Sequence, residues 1–580
     1  MALRGAKGVP SGSTAARKAG EPVGSVLFVL HSHLPWVLGH GAWPHGETWL
    51  YEAATECYLP LLTMLDRLSA DVPAARLAVG ITPVLAESLG SPRFQDGLLA
   101  YLDERASVAD RDGDAFHAAG DSAAESLAQS WSGFFRSARG DFETRYSRDI
   151  LAGFRRLQDA GAIEVLTSAA THGYLPLVGR DESVDAQVGC GVASYRRRFG
   201  RPPRGIWLPE CAYRPSGPWE RPTGRPRSWT RPGIEEVLSR HGLRYFFVDT
   251  HLVAGGVPLG TYEDRFEEKR LDATTPVRSS SPNEAYAVLG RRGRAPVAVF
   301  ARDPRSSVQV WSADYGYPGD GAYLEFHRKK APGGLRYWRI TDRRLPLEAK
   351  LPYDPQAARA RAHAHAEHFV GLVRETLLDH RARTGRPGVV VAPFDTELFG
   401  HWWYEGLEWL ELVLRKLQPE VLMETPSEHL ERHPPRSAIT LPEGSWGQGG
   451  HHWVWLNDDT RWVWDLVYRA EDAFLDALGA AGPRPNAELS RVLRQLAREL
   501  LLLESSDWPF LITTVAARDY AQARARSHFE AFQQLLEMAR RSHGGALAPA
   551  DLASLAELEA RDGPFPEIEL GWWGGNEGRQ

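Results

Sequence analysis

Two acidic residues sit in matching settings, each at the end of a short apolar run and just past a proline. Gly205-Ile-Trp-Leu-Pro-Glu210 delivers Glu210, and Val389-Val-Val-Ala-Pro-Phe-Asp395 delivers Asp395. Two further apolar runs end in histidines: Val26–Leu30 leads into His31-Ser-His33, and Ile163–Leu166 leads toward Thr171-His172-Gly-Tyr174. A single carboxylate so placed is equally a helix N-cap or an ion-pair partner; two in matching settings point to paired chemistry. Facing each other, two carboxyl groups suit cleavage of a glycosidic bond. One acts as nucleophile, and the other holds a proton near neutral pH, which requires burial or adjacent negative charge. His31, His33 and His172 have the donors and acceptors to hold sugar hydroxyls, and each has the alternative reading of a structural histidine behind a strand. The chain also has 20 tryptophans, nearly as many as its 21 phenylalanines. Indoles present flat apolar faces with a polar edge, which suits them to stacking on sugar rings.

The elements that must position these groups are legible as alternation. Short apolar runs at Val26–Leu30, Leu77–Ile81, Ile163–Leu166, Gly205–Leu208, Tyr245–Val248, Val297–Phe300 and Val389–Ala392 alternate with helical stretches such as 183–199, 234–241 and 355–384. Near-continuous apolar strands separated by helices predict an α/β fold with a parallel sheet covered on both faces. About seven strands favour a closed or nearly closed barrel, whose active groups project from the C-terminal strand ends. The expected organisation is a disordered extension over 1–22, a catalytic barrel over 23–404 with a helical insertion at about 103–158, a helical C-terminal domain over 405–565, and a tail over 566–580. The Arg/Pro-rich stretch 212–232 reads as a surface loop. His363-Ala-His365-Ala-Glu-His368 reads as a solvated helix, because residues two apart on a helix face different ways.

Composition removes several function classes. Lys+Arg 68 against Asp+Glu 74 gives a net charge of −6, without the concentrated basic face that nucleic acid requires. Three cysteines at unrelated spacings, Cys57, Cys190 and Cys211, fit neither a disulfide framework nor a zinc ribbon and suggest a reducing cytoplasm. The first apolar run, Val26–Leu30, ends in His31, so neither a signal peptide nor a membrane span is expected. No metal or other cofactor is expected, and a monomer or weak homo-oligomer is the simplest assembly.

Five ordered segments resemble the five signature regions of glycoside hydrolase family 57. They are His31-Ser-His-Leu-Pro-Trp36, Thr171-His-Gly-Tyr-Leu-Pro176, Gly205-Ile-Trp-Leu-Pro-Glu-Cys-Ala-Tyr213, Ala392-Pro-Phe-Asp-Thr-Glu-Leu-Phe-Gly-His401 and Ser505-Ser-Asp-Trp-Pro-Phe510. Within that family the pattern is most similar to the 1,4-α-glucan branching enzymes. The resemblance implies an incomplete (β/α)7 barrel with a helical C-terminal domain at the cleft, Glu210 as nucleophile and Asp395 as general acid/base of a retaining double displacement. It further implies an α-1,4-glucan as donor and acceptor, with the cut chain transferred to a 6-hydroxyl as an α-1,6 branch in glycogen biosynthesis. By the same resemblance Trp43, Trp338, Trp446 and Trp455 are aromatic substrate contacts and Asp507 lies at the cleft. Trp207 and Trp402, inside or beside signature regions, join His31, His33 and His172 as expected substrate contacts. The loop Val310–Asp320 is similar to a mobile loop that holds a tyrosine over the site, making Tyr315 and Tyr317 candidates for excluding water from the intermediate. The chain departs from the pattern in its N-terminal extension, in 214–232 and around 268–295.

Three alternatives stay open. An amylase or 4-α-glucanotransferase would use the same chemistry with a different acceptor. A metal-dependent deacetylase-type barrel would use His31, His33 and an aspartate, although no third ligand follows at a convincing spacing. A non-catalytic glucan-binding protein would use only the tryptophans.

Overall fold

The structure is a computed structural model that describes residues 21–264, 267–270, 280–290, 295–312, 315–542 and 546–574. Nearly all of the expected N-terminal extension therefore lies outside the described residues, as do the last six residues of the tail. The fold is mixed α/β, followed by a helical C-terminal part.

Strands form where the apolar runs predict them. They are β1 (Gly24–Ser32), β2 (Leu77–Ile81), β3 (Ile163–Leu166), β4 (Gly205–Ile206), β5 (Tyr245–Val248), β6 (Val297–Ala301) and β7 (Gly388–Asp395). One sheet has the order β7-β1-β2-β3, all parallel, and β4-β5-β6 are parallel neighbours in a second. Thr167, just past β3, bridges in parallel to Ile206 of β4. Past β6, the Asp303 N–H donates to the Val391 carbonyl of β7 at 2.8 Å. Backbone hydrogen bonds thus connect each of the seven strands to the next in turn and lead from the last back to β7.

Period-two alternation assigns the two strand faces. Leu27 and Val29 of β1 belong to an apolar cluster with Ala78, Leu166, Phe247, Phe300, Val389 and Val391. The intervening Val26, Phe28 and Leu30 pack instead with Phe369, Val373 and Leu377 of the helix Pro355–Thr384. Both faces are apolar, which explains why the runs lack visible alternation. The expected insertion is present as a helical hairpin, Pro92–Ala118 against Ser122–Gly140.

Two expectations need correction. The stretch 212–232 is not simply a surface loop: it forms an antiparallel hairpin, Gly217–Glu220 with Ser228–Arg231. Arg231 is fully buried, pairs with Asp181 at 2.7 Å, and lies 4.6 Å from the Trp219 ring and 5.5 Å from the Trp229 ring. A planar, weakly hydrated guanidinium can be buried between indoles when it is also paired, and Arg-rich composition does not reveal that. Nor does the helical domain begin at 405. Gly406–Lys416 packs on Pro355–Thr384, Val421–Met423 pairs in parallel with the start of β1, and Ser437–Thr440 enters the second sheet. Strands of three or four residues are too short for a readable pattern. The helical part starts at Arg461 and comprises Arg461–Ala481, Ala487–Leu503, Asp507–Thr514, Arg518–Ser542 and Pro549–Arg561. A capping box opens the helix Pro426–Arg432: the Glu428 N–H donates to Thr425 Oγ1 at 3.2 Å, and the Thr425 N–H donates to Glu428 Oε2 at 2.8 Å.

Candidate active site

The alternation that fills the interior with Leu27, Val29, Val389 and Val391 also points His31 and Asp395 to the same face at the C-terminal strand ends. The two are direct partners in the β1–β7 register. Glu210 arrives from β4 through the turn Pro209–Cys211, where its backbone adopts φ 60°, a left-handed conformation. Cys211 and His172 share it, at φ 50° and 57°. Non-glycine residues in this region cost of order 1–3 kcal/mol and persist where surrounding structure imposes them. Here Trp446 does so: its backbone N–H donates to the Glu210 carbonyl at 3.1 Å and its Nε1–H to Glu210 Oε2 at 2.8 Å.

Glu210 and Asp395 line one cavity of about 470 Å³, together with His31, His33, His172, Trp446, Trp455 and Asp507. Residues from His31 through Thr514 therefore meet at one place. His33 Nε2 lies 2.9 Å from Asp507 Oδ2, and its Nδ1 lies 3.0 Å from Thr82 Oγ1. His31 and His172 meet through their Nε2 atoms at 3.1 Å. Ser506 Oγ lies 2.9 Å from His172 Nδ1 and donates to Glu210 Oε1 at 3.2 Å.

The environments of the two carboxyls differ. Withdrawal from water pushes Glu210 up to about 7, with the Asp507 charge adding to the rise, while the donors Trp446 and Ser506 and the nearby His33 oppose it. Asp395 is held well above the usual carboxylate range by burial and then by Glu397 and Glu210, with only Arg302 opposing. Its Oδ1 is buried with no hydrogen-bond partner among the described residues. Of the pair, Glu210 is the one equipped to ionise and Asp395 the one equipped to stay protonated. His33 is raised: burial disfavours its charge, but Asp507 outweighs that by proximity and hydrogen bonding. Burial, reinforced by neighbouring histidines, keeps His31 and His172 well below 6.5 and therefore neutral.

Several expected contacts lie elsewhere. Trp207 is fully buried beneath the site, its ring stacked on His31 with centroids 4.9 Å apart and edge-on to Trp446 at 5.2 Å, so it supports the cavity from behind and is not part of its lining. Tyr317 is only 5% exposed, stacks on His365 at 4.5 Å and pairs with His368 Nδ1 through its hydroxyl at 2.6 Å. It is a loop anchor and not a residue over the cavity, and the helix bearing these histidines is accordingly not merely solvated. Tyr315 is 84% exposed and free to reach outward. Trp43, Trp338 and Trp402 are outside the cavity lining: Trp43 is 81% exposed, Trp338 lies under the Arg328 guanidinium at 3.8 Å, and Trp402 packs on Phe326 at 4.5 Å. Trp455 lines the cavity while stacking on Tyr174 at 4.4 Å.

Arg302, Trp311, Glu397, Gln448, Val454, Phe510 and Thr514 also line the cavity, and sequence reasoning did not single them out. Glu397 carried a usable signal, since it is the second carboxylate of the signature segment Ala392–His401. Trp311 lies in the loop chosen for its tyrosines.

Comparison with known proteins agrees with this geometry. The family model for glycosyl hydrolase family 57 matches residues 27–442, and one described as 1,4-alpha-glucan branching enzyme, C-terminal, matches residues 467–573. The chain is 43% identical over 551 residues to the 1,4-alpha-glucan branching enzyme TK1436 of Thermococcus kodakarensis, covering 94% of this chain and 78% of that protein. The crystal structure of TK1436 with glucose superposes with a TM-score of 0.85 over 95% of this chain and 96% of that one, at 42% identity. A GH57-type branching enzyme from Pyrococcus horikoshii gives 0.86 at 38% identity, covering 96% and 98% of the two chains. The α-amylase AmyC of Thermotoga maritima gives 0.78 at 30% identity, covering 95% and 99%. A strained glutamate and a strand-end aspartate in one tryptophan-walled cavity, on a chain matched by the family model over most of its length, place it in glycosyl hydrolase family 57.

Proposed function

We propose that the protein is a 1,4-α-glucan branching enzyme acting by a retaining double displacement. The observation that carries the reading is the shared cavity in which Glu210 is given hydrogen-bond donors and Asp395 is denied them. Glu210 attacks the anomeric carbon of an α-1,4-linked glucose while Asp395 protonates the departing 4-oxygen, leaving a glycosyl ester on Glu210. Asp395, now a carboxylate, removes the proton from a 6-hydroxyl of an acceptor glucan. That oxygen displaces Glu210 and forms the α-1,6 branch. Trp446 and Trp455 serve as sugar platforms, and His31, His33, His172 and Asp507 hold hydroxyls or the groups that do. Trp43, Trp338 and Trp402 are proposed to contact glucan outside the cavity. Tyr315 is the loop tyrosine proposed to shield the intermediate from water.

The same reading takes the seven parallel strands as an incomplete (β/α)7 barrel, with the helices from Arg461 onward as a C-terminal domain that contributes to the cleft. Glycogen synthesis in the cytoplasm is the setting it implies. Three buried free thiols, Cys57, Cys190 and Cys211, support a reducing compartment. Among the described residues no helix is long and apolar enough to cross a membrane.

The likeness to an α-amylase at 30% identity favours one alternative, the same intermediate resolved by water. Proton NMR of amylose incubated with the protein separates the two. New α-1,6 anomeric signals are expected; reducing ends without them would establish the hydrolase. Glu210→Gln is expected to abolish the covalent intermediate trapped with a slow substrate, and near-normal branching by that variant would remove Glu210 from its role.

A further inference from the structure

Three polar groups run in series behind the nucleophile. His31 Nε2 faces His172 Nε2 at 3.1 Å, His172 Nδ1 faces Ser506 Oγ at 2.9 Å, and Ser506 Oγ faces Glu210 Oε1 at 3.2 Å. His31, His172 and Ser506 are all buried, and His31 Nδ1 has no partner among the described residues. Each buried neutral imidazole carries one proton, and an ionised carboxylate can only accept. With Glu210 ionised, the Ser506 hydroxyl donates to it, so His172 must donate from Nδ1 and accept at Nε2. His31 must then carry its proton on Nε2, and the atom left over is a bare acceptor, His31 Nδ1.

With Glu210 protonated on Oε1, the oxygen that faces Ser506, every arrow reverses. Glu210 donates to Ser506, Ser506 to His172 Nδ1, and His172 Nε2–H to His31 Nε2. The proton of His31 is then stranded on Nδ1 as a buried N–H without an acceptor. An orphaned buried N–H is rarer and costlier than an under-used acceptor. The end of the chain therefore favours one direction.

We infer that Ser506 is a positioning residue, the last link of a one-way donor relay His31–His172–Ser506 that ends on Glu210 and biases its carboxyl toward the ionised, nucleophilic form. Ser506 comes from the C-terminal helical part, between Ala487–Leu503 and Asp507–Thr514, and its backbone N–H is bonded to the His172 carbonyl at 3.2 Å. The nucleophile's proton state thus depends on a segment nearly 300 residues downstream, |i−j| being 296. The other titratable or charged groups around Glu210 are His33 from the end of β1, Asp395 from β7, Glu397 just past it, Arg302 past β6, Asp507 from the C-terminal helix, Tyr174 beside His172, and Cys211 on its own turn. None of them interrupts the relay.

The inference rests on Glu210 being the nucleophile, and two measurements on the full-length protein separate its failure from the failure of that reading. Nitrogen-15 NMR with labelled histidine reports the tautomers directly, whatever Glu210 does. On the alkaline side of neutrality His172 is expected as the Nδ1–H and His31 as the Nε2–H tautomer; the opposite tautomers, or an imidazolium at either, would overturn the relay. The pH dependence of kcat/KM reports its effect. Ser506→Ala is expected to move the acidic limb up by about one pH unit, the scale of one hydrogen bond to a charge, and Ser506→Thr, which keeps the hydroxyl, to return it. A limb that stays in place while the rate falls equally at all pH values would make Ser506 merely structural and end the proposal. Full activity of Glu210→Gln would instead sink the nucleophile while leaving the tautomers to be judged on their own.

Discussion

Glu397 is a further carboxyl group in the cavity beside Glu210, Asp395 and Asp507, two residues beyond Asp395, and it is far better supplied with donors than Asp395. Tyr58 donates to Oε1 through its hydroxyl, and the His33 backbone N–H donates to the same oxygen at 3.1 Å. Asp395 has an unpartnered Oδ1 and is raised by burial first and by Glu397 next. Removing the negative charge of Glu397 should let Asp395 give up its proton more easily. Because an acid catalyst works only while protonated, the alkaline limb of kcat/KM is expected to move to lower pH in Glu397→Gln, by about one unit. A pH series with a soluble glucan checks this, and an unmoved limb would show that the charge of Glu397 does not reach Asp395. A pairing of Glu210 with Asp395 was suggested by residue type and setting. Their inequality was not, because it depends on donors from Trp446 and Ser506, far away in the chain.

Among elements, the loop after the helix Pro304–Trp311 divides its two tyrosines between support and exposure. Tyr317 is locked by His365 and His368 on the helix Pro355–Thr384 and packs near Trp403 and Trp409, with ring centroids 6.5 and 5.9 Å away. Tyr323 adds a hydrogen bond to His365 Nδ1 at 2.8 Å. Tyr317→Ala is expected to cost about 3 kcal/mol, as for other large-to-small aromatic changes in a packed interior, read from the denaturant midpoint. Tyr315→Ala should leave that midpoint unchanged and lower branch formation relative to reducing ends released; equal losses of both products would remove Tyr315 from any shielding role. Which tyrosine anchors and which projects was not legible, because both follow small residues in one Gly/Pro-rich stretch. Only the partner helix separates them.

At the scale of the molecule, the seam between the sheets and the C-terminal helices contains buried charge. His40, after β1, pairs with Asp562 at 2.6 Å, and Arg231 and Arg221 of the hairpin region reach Asp181 and Asp472. Glu471 and Glu504 are buried in the same seam with one oxygen each unpartnered among the described residues, although Gln187 donates to Glu504 at 2.8 Å and the Arg180 N–H to Glu471 at 3.0 Å. Burial raises both; it pushes Glu504 up to about 7 and is reinforced at Glu471 by Glu504. A carboxyl with a folded-state pKa above its ordinary 4.5 binds more protons folded than unfolded in that interval. The contribution of these two groups to stability is therefore greatest below about 4.5 and falls as pH rises through about 7. Glu471→Gln, which cannot ionise, is expected to flatten this fall, so that its Tm exceeds that of the parent most clearly above neutrality. Parallel Tm–pH curves for the two proteins would show that the seam tolerates the charge.

The chain alone determined the seven strands, because runs such as Val26–Leu30 and Val389–Ala392 are apolar on both faces and have no other stable place than a covered parallel sheet. It also determined which residues stand at the strand ends, since His31, Glu210 and Asp395 follow those runs directly. The tertiary structure decided what those residues meet. Trp446 and Asp507 enter the cavity, and Ser506 reaches Glu210 from behind it, from segments whose local pattern is only that of loops and helix starts, and Trp207 turns inward beneath the site. Local propensity and periodicity act over a few residues, whereas hydrogen bonds, burial and charge at a site are set by neighbours hundreds of residues apart; the proton state of Glu210 belongs wholly to that second kind.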